Sequence, residues 1–365
     1  MKRAIFLCLL SVIFFQTIQA QTNNDKIEEA IQLMESGNIG ESIILLNEVL
    51  KEEPDSYVAG YELGYAYYLK KDYKEAIKIM KKLEKHKDVN HLLYGMIGNA
   101  YDELGESKKA LKTYDDALKK FPEKGILYLN KGVTLMRQED YNGALAIFEK
   151  GIEADPIFPS NYYWAAKMFN LDTEEKNWGM IYGEIFMNLE RNSRRTQEIS
   201  KLLYDTYKNN ITIVNDTTVA LSFTKKEQTI YLDKKKSGDA AYLLKALSQA
   251  YNSSVYDSVM KEAVLPAPKE IDLTSLNTIR NKFVTIYTEK YGESDPNVLF
   301  TFQKEIQALG LMNAYNHWIL MQGDLDAFDE WHAENQQEWD RFVNWFTANP
   351  IQITHDNKFV RTANP

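Results

Sequence analysis

The 365-residue sequence contains one cysteine, nine prolines and 17 glycines. The cysteine, Cys8, lies in an apolar stretch that we expect to be removed, so the mature chain would have no thiol. Disulfide bonds, cysteine nucleophiles and thiolate metal sites are therefore not expected. Sparse glycine and proline, with 44% hydrophobic and 26% charged residues, favour a folded protein of long helices over a turn-rich all-β fold.

The first 20 residues have the pattern of a secretory signal peptide. Lys2 and Arg3 form a short positive segment, residues 4–15 are apolar, and Ala20 is a small residue at a suitable cleavage point. The apolar stretch is too short for a membrane anchor, and bulky residues before Cys8 disfavour lipoprotein cleavage. We therefore expect an exported protein, periplasmic or secreted, with no membrane span in the mature chain.

The chain is acidic and has no basic stripe. It carries 43 basic and 52 acidic residues, a formal charge of −9, and loss of Lys2 and Arg3 with the signal makes this −11. Such a chain is a poor candidate for binding nucleic acid or anionic lipid. A protein partner is expected first, and a small molecule second.

A repeat with a period of 34 residues runs through the first half of the chain. Five columns share this period: Ala30, Gly64, Gly98 and Gly132; Leu33, Tyr67, Tyr101 and Leu135; Ser42, Ala76, Ala110 and Ala144; Leu46, Met80, Tyr114 and Phe148; Pro54, Asp88, Pro122 and Pro156. The small residues would let two helices of a pair approach closely, and the large ones would fill the space between pairs. Proline would end the second helix of a pair. Gly37, Gly105 and Asp140 would form the turn between the first and second helices of a pair.

These columns, with LGYAY at Leu63–Tyr67, IGNAY at Ile97–Tyr101 and DYKEAI at Asp72–Ile77, resemble the tetratricopeptide repeat. Four repeats are evident, at about 23–56, 57–90, 91–124 and 125–158. A fifth is degenerate, because Trp178 stands where the second helix should carry alanine. That departure predicts a terminal repeat whose outer face meets something else.

The resemblance implies a right-handed superhelix of helix pairs, with a concave groove lined mainly by first helices. The groove-lining residues implied by it are Ile27, Ile31, Met34, Tyr61, Tyr65, Tyr68, Asn99, Asp102, Leu129, Val133 and Met136. These largely apolar and aromatic side chains suit an amphipathic helix or an extended hydrophobic peptide. Ile27 and Ile31 stand where some family members hold a carboxy-terminal carboxylate with polar groups, so that mode is disfavoured. The alternative is that the chain's own carboxy-terminal half fills the groove.

Beyond about residue 195 the 34-residue period is lost. The predicted organisation is a signal peptide at 1–20, a solenoid at 23–194, a mostly helical α+β domain at 195–350 and a flexible tail at 351–365. Alternating apolar residues predict a three-stranded antiparallel meander, at Ile211 and Ile213, at Val219, Leu221 and Phe223, and at Ile230 and Leu232. Helices are predicted at about 240–263, 274–290, 296–321 and 325–347, the third beginning at Asp295-Pro296.

The last predicted helix carries Phe328, Trp331, Trp339, Phe342 and Phe346 close to one face. A helical stripe of this kind is typical of a buried core face. The alternative is an aromatic docking surface for a partner or for the repeat groove.

No catalytic motif is present. The five histidines show no compact metal-ligand spacing, namely His86, His91, His317, His332 and His355. Gly-rich phosphate loops and the GxSxG elbow are also missing. The sequence therefore predicts a non-enzymatic scaffold or adaptor that binds a protein or peptide, with no cofactor and no metal. The alternative is an enzyme or small-molecule-binding protein with its site in the C-terminal domain.

Overall fold

The computed structural model describes residues 23–224 and 255–361. The predicted signal peptide, the third predicted strand at Ile230 and Leu232, and most of the helix predicted at 240–263 lie outside the described residues. The chain divides into two compact units, 1–134 and 135–365. This division falls inside the fourth repeat, whereas the boundary near residue 195 marks the loss of sequence periodicity and stays a prediction.

The first unit is a series of helices in which each helix packs on the next. It contains α1 (23–35), α2 (Ile39–Glu52), α3 (Tyr57–Leu69), α4 (Tyr73–Lys82), α5 (His91–Glu103), α6 (Ser107–Leu118) and most of α7 (Gly125–Arg137). A short 3-10 turn, Leu83–Lys85, follows α4. Three apolar clusters form the core, and each joins a helix pair to the first helix of the next pair. The 34-residue period thus places equivalent side chains in equivalent clusters.

The small-residue column explains how closely the two helices of a pair pack. A Cβ added to Gly64 would lie 2.6 Å from the Cγ of Met80, and one added to Gly98 would lie 2.2 Å from the Cε1 of Tyr114. Both Met80 and Tyr114 are fully buried. The predicted role of these two glycines is therefore confirmed, and Met80 also packs against Leu93 and Ile97 of the next pair, as predicted for the large residues.

The turn within each of the four clear repeats contains one left-handed residue at the same repeat position. Gly37 and Gly105 have φ of 85° and 74°, while Lys71 and Glu139 have φ of 64° and 61°. Left-handed backbone is strained for residues with a Cβ.

The two repeats without glycine have an aspartate at the next position that caps the following helix. Asp72 accepts a hydrogen bond from the backbone N–H of Glu75 (3.2 Å), and Asp140 accepts one from that of Gly143 (2.9 Å). Caps of this kind stabilise a helix by about 1 kcal/mol, which offsets part of the strain before them.

The second unit contains the remaining helices and a hairpin. These are α8 (Tyr141–Ala154), α9 (Pro159–Asp172), α10 (Lys176–Leu189), α11 (Arg194–Asn210), β1 (Ile211–Asn215), β2 (Thr218–Leu221), α12 (255–264 in its described part), α13 (Leu273–Lys290), α14 (Val298–Ala308), α15 (Met312–Leu320), α16 (Leu325–Glu334) and α17 (Gln336–Ala348). The two strands pair antiparallel, with Ile211 opposite Leu221. The described residues therefore show two strands where the sequence predicted three.

Two long predicted helices are each divided in the structure. The helix predicted at 296–321 is α14 and α15, which are separated at Gly310, where φ is 67°. The helix predicted at 325–347 is α16 and α17, with a break at Asn335. The predicted start at Asp295-Pro296 is also displaced, because Asn297 caps α14 by accepting from the N–H of Leu299 (3.0 Å).

A buried ion pair joins the helices of the second unit. Arg280 on α13 donates from Nη1 to Oε2 of Glu184 on α10 (3.0 Å) and from Nη2 to Oε1 of the same carboxylate. Tyr315 and Gln303 also donate to Glu184, so this carboxylate is fully partnered. Burial by itself would lower the pKa of Arg280, but the attraction of Glu184 holds it above its usual range. The guanidinium of Arg280 thus remains charged in the core.

The degenerate fifth repeat, α9 and α10, obtains its close helix approach from a neighbouring glycine. A Cβ added to Gly179 would lie 2.4 Å from the Nδ2 of Asn170. Trp178 is therefore not needed for the close approach of α9 and α10. Its side chain is buried and stacks on Phe359, with ring centroids 5.9 Å apart. This contact agrees with the prediction that the outer face of the degenerate repeat meets something else.

The tail predicted to be flexible from residue 351 is packed over its described part, 351–361. Ile351, Ile353, Phe359 and Val360 are buried, so the prediction was wrong for this part. The segment was predicted to be flexible because most of its residues are polar. Four apolar residues spread among the polar ones are nevertheless enough to anchor it.

Candidate partner-binding surface

The first-helix side of the second repeat presents an apolar and aromatic surface. On α3, Val58, Tyr61, Glu62, Tyr65 and Leu69 follow the spacing i, i+3, i+4, i+7 and i+11, which places them on one side of the helix. We call these five residues the tyrosine face. Tyr61, Glu62 and Tyr65 are partly exposed to solvent, and Val58 and Leu69 are exposed.

Aromatic packing fixes the position of the tyrosine face. The rings of Tyr57 and Tyr61 are stacked with centroids 6.3 Å apart, and Tyr57 also contacts the ring of His86 at 5.3 Å. Tyr65 packs against the apolar clusters on both sides of α3. The half-buried rings are therefore held rigidly, which lowers the entropy cost of binding a ligand.

The electrostatic environment of the tyrosine face disfavours negative charge. Burial, followed by the charge of Glu62 and by the neighbouring Tyr57 and Tyr65, raises the pKa of Tyr61 to about 12. Burial also raises the pKa of the Glu62 carboxyl above its usual value. A cation placed beside Glu62 would relieve this cost.

The predicted groove residues of α1 contribute mainly to the core. Ile27 and Met34 are buried in the cluster that joins α1, α2 and α3, and Ile31 is partly buried against it. The apolar side of the first helix in the array is needed to complete this cluster. These side chains therefore offer little surface to a ligand.

The polar groove residues of α5 already have partners within their own repeat. The hydroxyl of Tyr114 donates to Oδ1 of Asn99 (2.7 Å), and Ser107 Oγ donates to Oδ1 of Asp102 (3.1 Å). Both bonds link α5 to α6. A ligand would have to share these oxygens.

The remaining predicted groove residues are half-buried. Tyr68 is in edge contact with Tyr73, with ring centroids 5.3 Å apart. Leu129 and Val133 are half-buried on α7 in the first unit, and Met136 is half-buried among the residues of the second unit.

Three exposed apolar residues were missed by the sequence analysis. Val58 is 52% exposed, Leu92 is 47% exposed and Leu69 is 37% exposed. Val58 lies one helical turn before Tyr61, and Leu92 occupies the same position one 34-residue period later. The repeat period together with helical spacing was the signal that could have identified them.

The second unit contains a cleft of about 730 Å³ between α14 and residues 348–358. Glu305, His355, Asp356 and Lys358 are among its lining residues. In the described parts of the chain, no group of three or more His, Cys, Asp or Glu side chains is placed to hold a metal ion.

The aromatic residues of α16 and α17 belong largely to the core. Phe328, Phe342 and Phe346 are buried, and Trp331 stacks on His317 with centroids 3.9 Å apart. Burial lowers the pKa of His317, whose Nδ1 lies 2.8 Å from the carbonyl oxygen of Asn313. The core interpretation of this stripe is thus favoured over the docking surface.

Two tetratricopeptide-repeat family models match the chain, one over residues 24–100 and the other over residues 96–156. The resemblance seen in the sequence is confirmed for these residues. Residues 24–156 therefore consist of tetratricopeptide repeats, and such repeats suggest a scaffold for interactions between proteins.

Solved structures that the chain matches include TTC0263, a thermophilic TPR protein in Thermus thermophilus. It is 16% identical, the match covers 50% of this chain and 98% of that chain, and the TM-score is 0.41. Another is YrrB, a TPR protein with an unusual peptide-binding site, at 20% identity, 50% and 94% coverage and a TM-score of 0.35. No curated protein sequence matches the chain. Among the described residues, no helix has the length and apolar character needed to cross a bilayer.

Proposed function

We propose that this protein is an exported, non-enzymatic scaffold that binds a protein partner through the tyrosine face and through Leu92, the equivalent of Val58 in the next repeat. The observation that carries the proposal is the combination of exposed apolar side chains with rigidly packed tyrosines on the first helices of successive repeats. Tyrosine anchors beside aliphatic contacts are typical of residues that dominate binding free energy at protein interfaces.

The chemistry of the surface indicates the kind of ligand. An amphipathic helix or an extended peptide with apolar side chains would cover Val58, Leu69 and Leu92 and remove them from water. Glu62 adds a preference for a lysine or arginine in the ligand, because a cation would stabilise its partly buried carboxylate. The proposed ligand is therefore an apolar segment that carries at least one basic residue.

The proposal of export is supported by the positive segment at Lys2 and Arg3, the apolar run that follows and the small residue Ala20. Expression of the full chain in a bacterial host tests it. We expect the mature protein in the envelope fraction or the medium, with residue 21 as its first residue by mass spectrometry. An intact chain beginning at Met1 in the cytosol would contradict export.

Affinity capture from the native cell envelope tests the scaffold proposal. The mature chain is immobilised, and retained proteins are identified by mass spectrometry. A partner that is retained by the wild type and lost from the folded triple variant Tyr61→Ala, Tyr65→Ala and Tyr68→Ala supports the proposal. Equal retention by the folded variant would contradict binding of the partner through these three tyrosines.

A further inference from the structure

The last described residues of the chain lie on the surface of α8, α9 and α10. Phe359 is buried, and its ring lies 5.9 Å from that of Trp178 and 5.7 Å from that of Tyr182, measured between centroids. The rings of Trp178 and Tyr182 lie one helical turn apart on α10 and meet Phe359 at interplanar angles of 29° and 59°. The aromatic side chain of Phe359 thus packs against two rings of α10.

Arg361 is held by a bidentate ion pair. Its Nε lies 3.0 Å from Oε1 of Glu149, and its Nη2 lies 3.0 Å from Oε2 of the same carboxylate. Its Nη1 lies 3.5 Å from Glu175, and the guanidinium lies 4.9 Å from the ring centroid of Phe169. The fork of an arginine matches this arrangement and the single ammonium of a lysine does not.

Tyr182 contacts both the ring of Phe359 and the ion pair of Glu149 with Arg361. Its hydroxyl donates to Oε1 of Glu149 (2.9 Å) and accepts a hydrogen bond from the backbone N–H of Arg361 (2.9 Å). Burial and the charge of Glu149 raise the pKa of Tyr182 well above its usual value, so the hydroxyl keeps its proton. The surface therefore recognises a side chain, a cation and a main-chain N–H together, as a peptide-binding site does.

The segment that approaches this surface is not packed along its whole length. Residues 354–357 are exposed, and residues 348–358 form one wall of the 730 Å³ cleft beside α14. Ile351 and Ile353 are buried before this exposed stretch, and Phe359 and Val360 are buried after it. Because the exposed stretch separates the two anchors, the end at residues 359–361 can be exchanged for a segment of the same chemistry while Ile351 and Ile353 stay in place.

The ion pair between Glu149 and Arg361 also favours a role in the recognition of a peptide. Glu149 is only 2% exposed, and the cost of removing two charges from water offsets most of their attraction. Apolar residues would hold the segment about as firmly. The buried carboxylate instead makes the surface selective for arginine.

We propose that α8, α9 and α10 form a second peptide-binding site, specific for an aromatic residue followed two positions later by arginine. The chain's own Phe359 and Arg361 occupy it, and a partner protein with a segment of the same chemistry replaces them. This site is separate from the tyrosine face, and its test does not depend on the function proposed for that face.

The test uses the full mature chain and a fluorescein-labelled synthetic peptide of residues 354–365. Binding is measured by fluorescence anisotropy to the wild type, to F359A/R361A, and to F359A/R361A with E149Q added. We expect F359A/R361A to bind the peptide at least about tenfold more tightly than the wild type, because the attached segment competes at high effective concentration. Adding E149Q should weaken binding at least about tenfold, and so should Ala in place of Arg361 in the peptide.

Two results would overturn the proposal: no binding of the peptide to folded F359A/R361A, or binding that E149Q leaves unchanged. If F359A/R361A does not fold, hydrogen exchange of the wild type decides the question. We then expect the amides of residues 357–361 to exchange at least about tenfold faster than those of α10. If the amides of residues 357–361 and those of α10 all exchange only on global unfolding, the segment is a fixed part of the structure and the proposal is wrong.

Discussion

Gly98 and Tyr114 are in direct contact across a helix pair, with so little space that a Cβ on Gly98 would lie 2.2 Å from the tyrosine ring. The same relationship recurs one period earlier between Gly64 and Met80. Each of these two repeats thus depends on a glycine in its first helix that accommodates a large side chain from its second.

Gly98→Ala should lower the free energy of unfolding by about 1–3 kcal/mol, because the buried Tyr114 ring has to shift. Gly40→Ala is the matched control, since a Cβ there meets nothing within 4 Å and Gly40 is also helical. The control should be neutral or stabilising by up to about 1 kcal/mol. Urea unfolding measures both, and equal effects of the two substitutions would contradict the packing role of Gly98.

Lys71→Gly should stabilise the protein by about 0.5–1 kcal/mol, because Lys71 is left-handed with φ of 64°. Lys70→Gly is the control, since Lys70 is right-handed with φ of −69° and gains no relief from glycine. Thermal unfolding of the two variants should shift in opposite directions. A loss of stability in Lys71→Gly would show that its backbone is not strained.

Arg280→Met should destabilise the second unit by about 3–5 kcal/mol, since it leaves the buried Glu184 carboxylate without its cation. The double variant Glu184→Gln with Arg280→Met should lose less than the sum of the single variants, because no buried charge remains. Urea unfolding of the cycle measures this coupling. Additive losses would mean that the two side chains act independently.

Glu62→Gln should stabilise the protein at neutral pH. The folded state raises the pKa of Glu62, so ionisation costs stability in the wild type above that pKa and costs nothing below the pKa of the unfolded chain. The advantage of the variant should therefore shrink as the pH falls through the raised pKa of Glu62. Unfolding measured from about pH 8 down to about pH 4, close to the ordinary pKa of a glutamate, tests this sign.

Glu29→Gln serves as the control for this pH dependence, because Glu29 is exposed on α1. This variant measures how the loss of an exposed carboxylate changes the unfolding free energy at each end of the pH range. If Glu62→Gln behaves like this control, the burial of Glu62 has no energetic consequence.

The repeat half of the fold could be predicted from the sequence because each repeat is stabilised by its neighbours at fixed spacing. Gly64 and Gly98 were recognisable from the period alone. The period also contained Val58 and Leu92, although exposure could be assigned only once the packing of α3 and α5 was known.

The C-terminal segment could not be predicted in the same way. Arg361 pairs with Glu149 across 212 positions of sequence, and no local pattern records such a contact. The breaks at Gly310 and Asn335 were missed for a related reason. Apolar spacing continued through both positions, while the turn geometry that ends a helix depends on one residue.

Binding of a partner to the tyrosine face and to Leu92 can be measured with substitutions of exposed residues on this surface. Val58→Asp and Leu92→Asp together should not disturb the core, because both side chains are about half exposed. Ile44→Asp is the matched control, since Ile44 is 62% exposed on α2, outside the tyrosine face. Capture of the envelope partner should fall at least about tenfold for the double variant and stay at the wild-type level for Ile44→Asp. Full capture by the folded double variant would contradict binding of the partner through Val58 and Leu92.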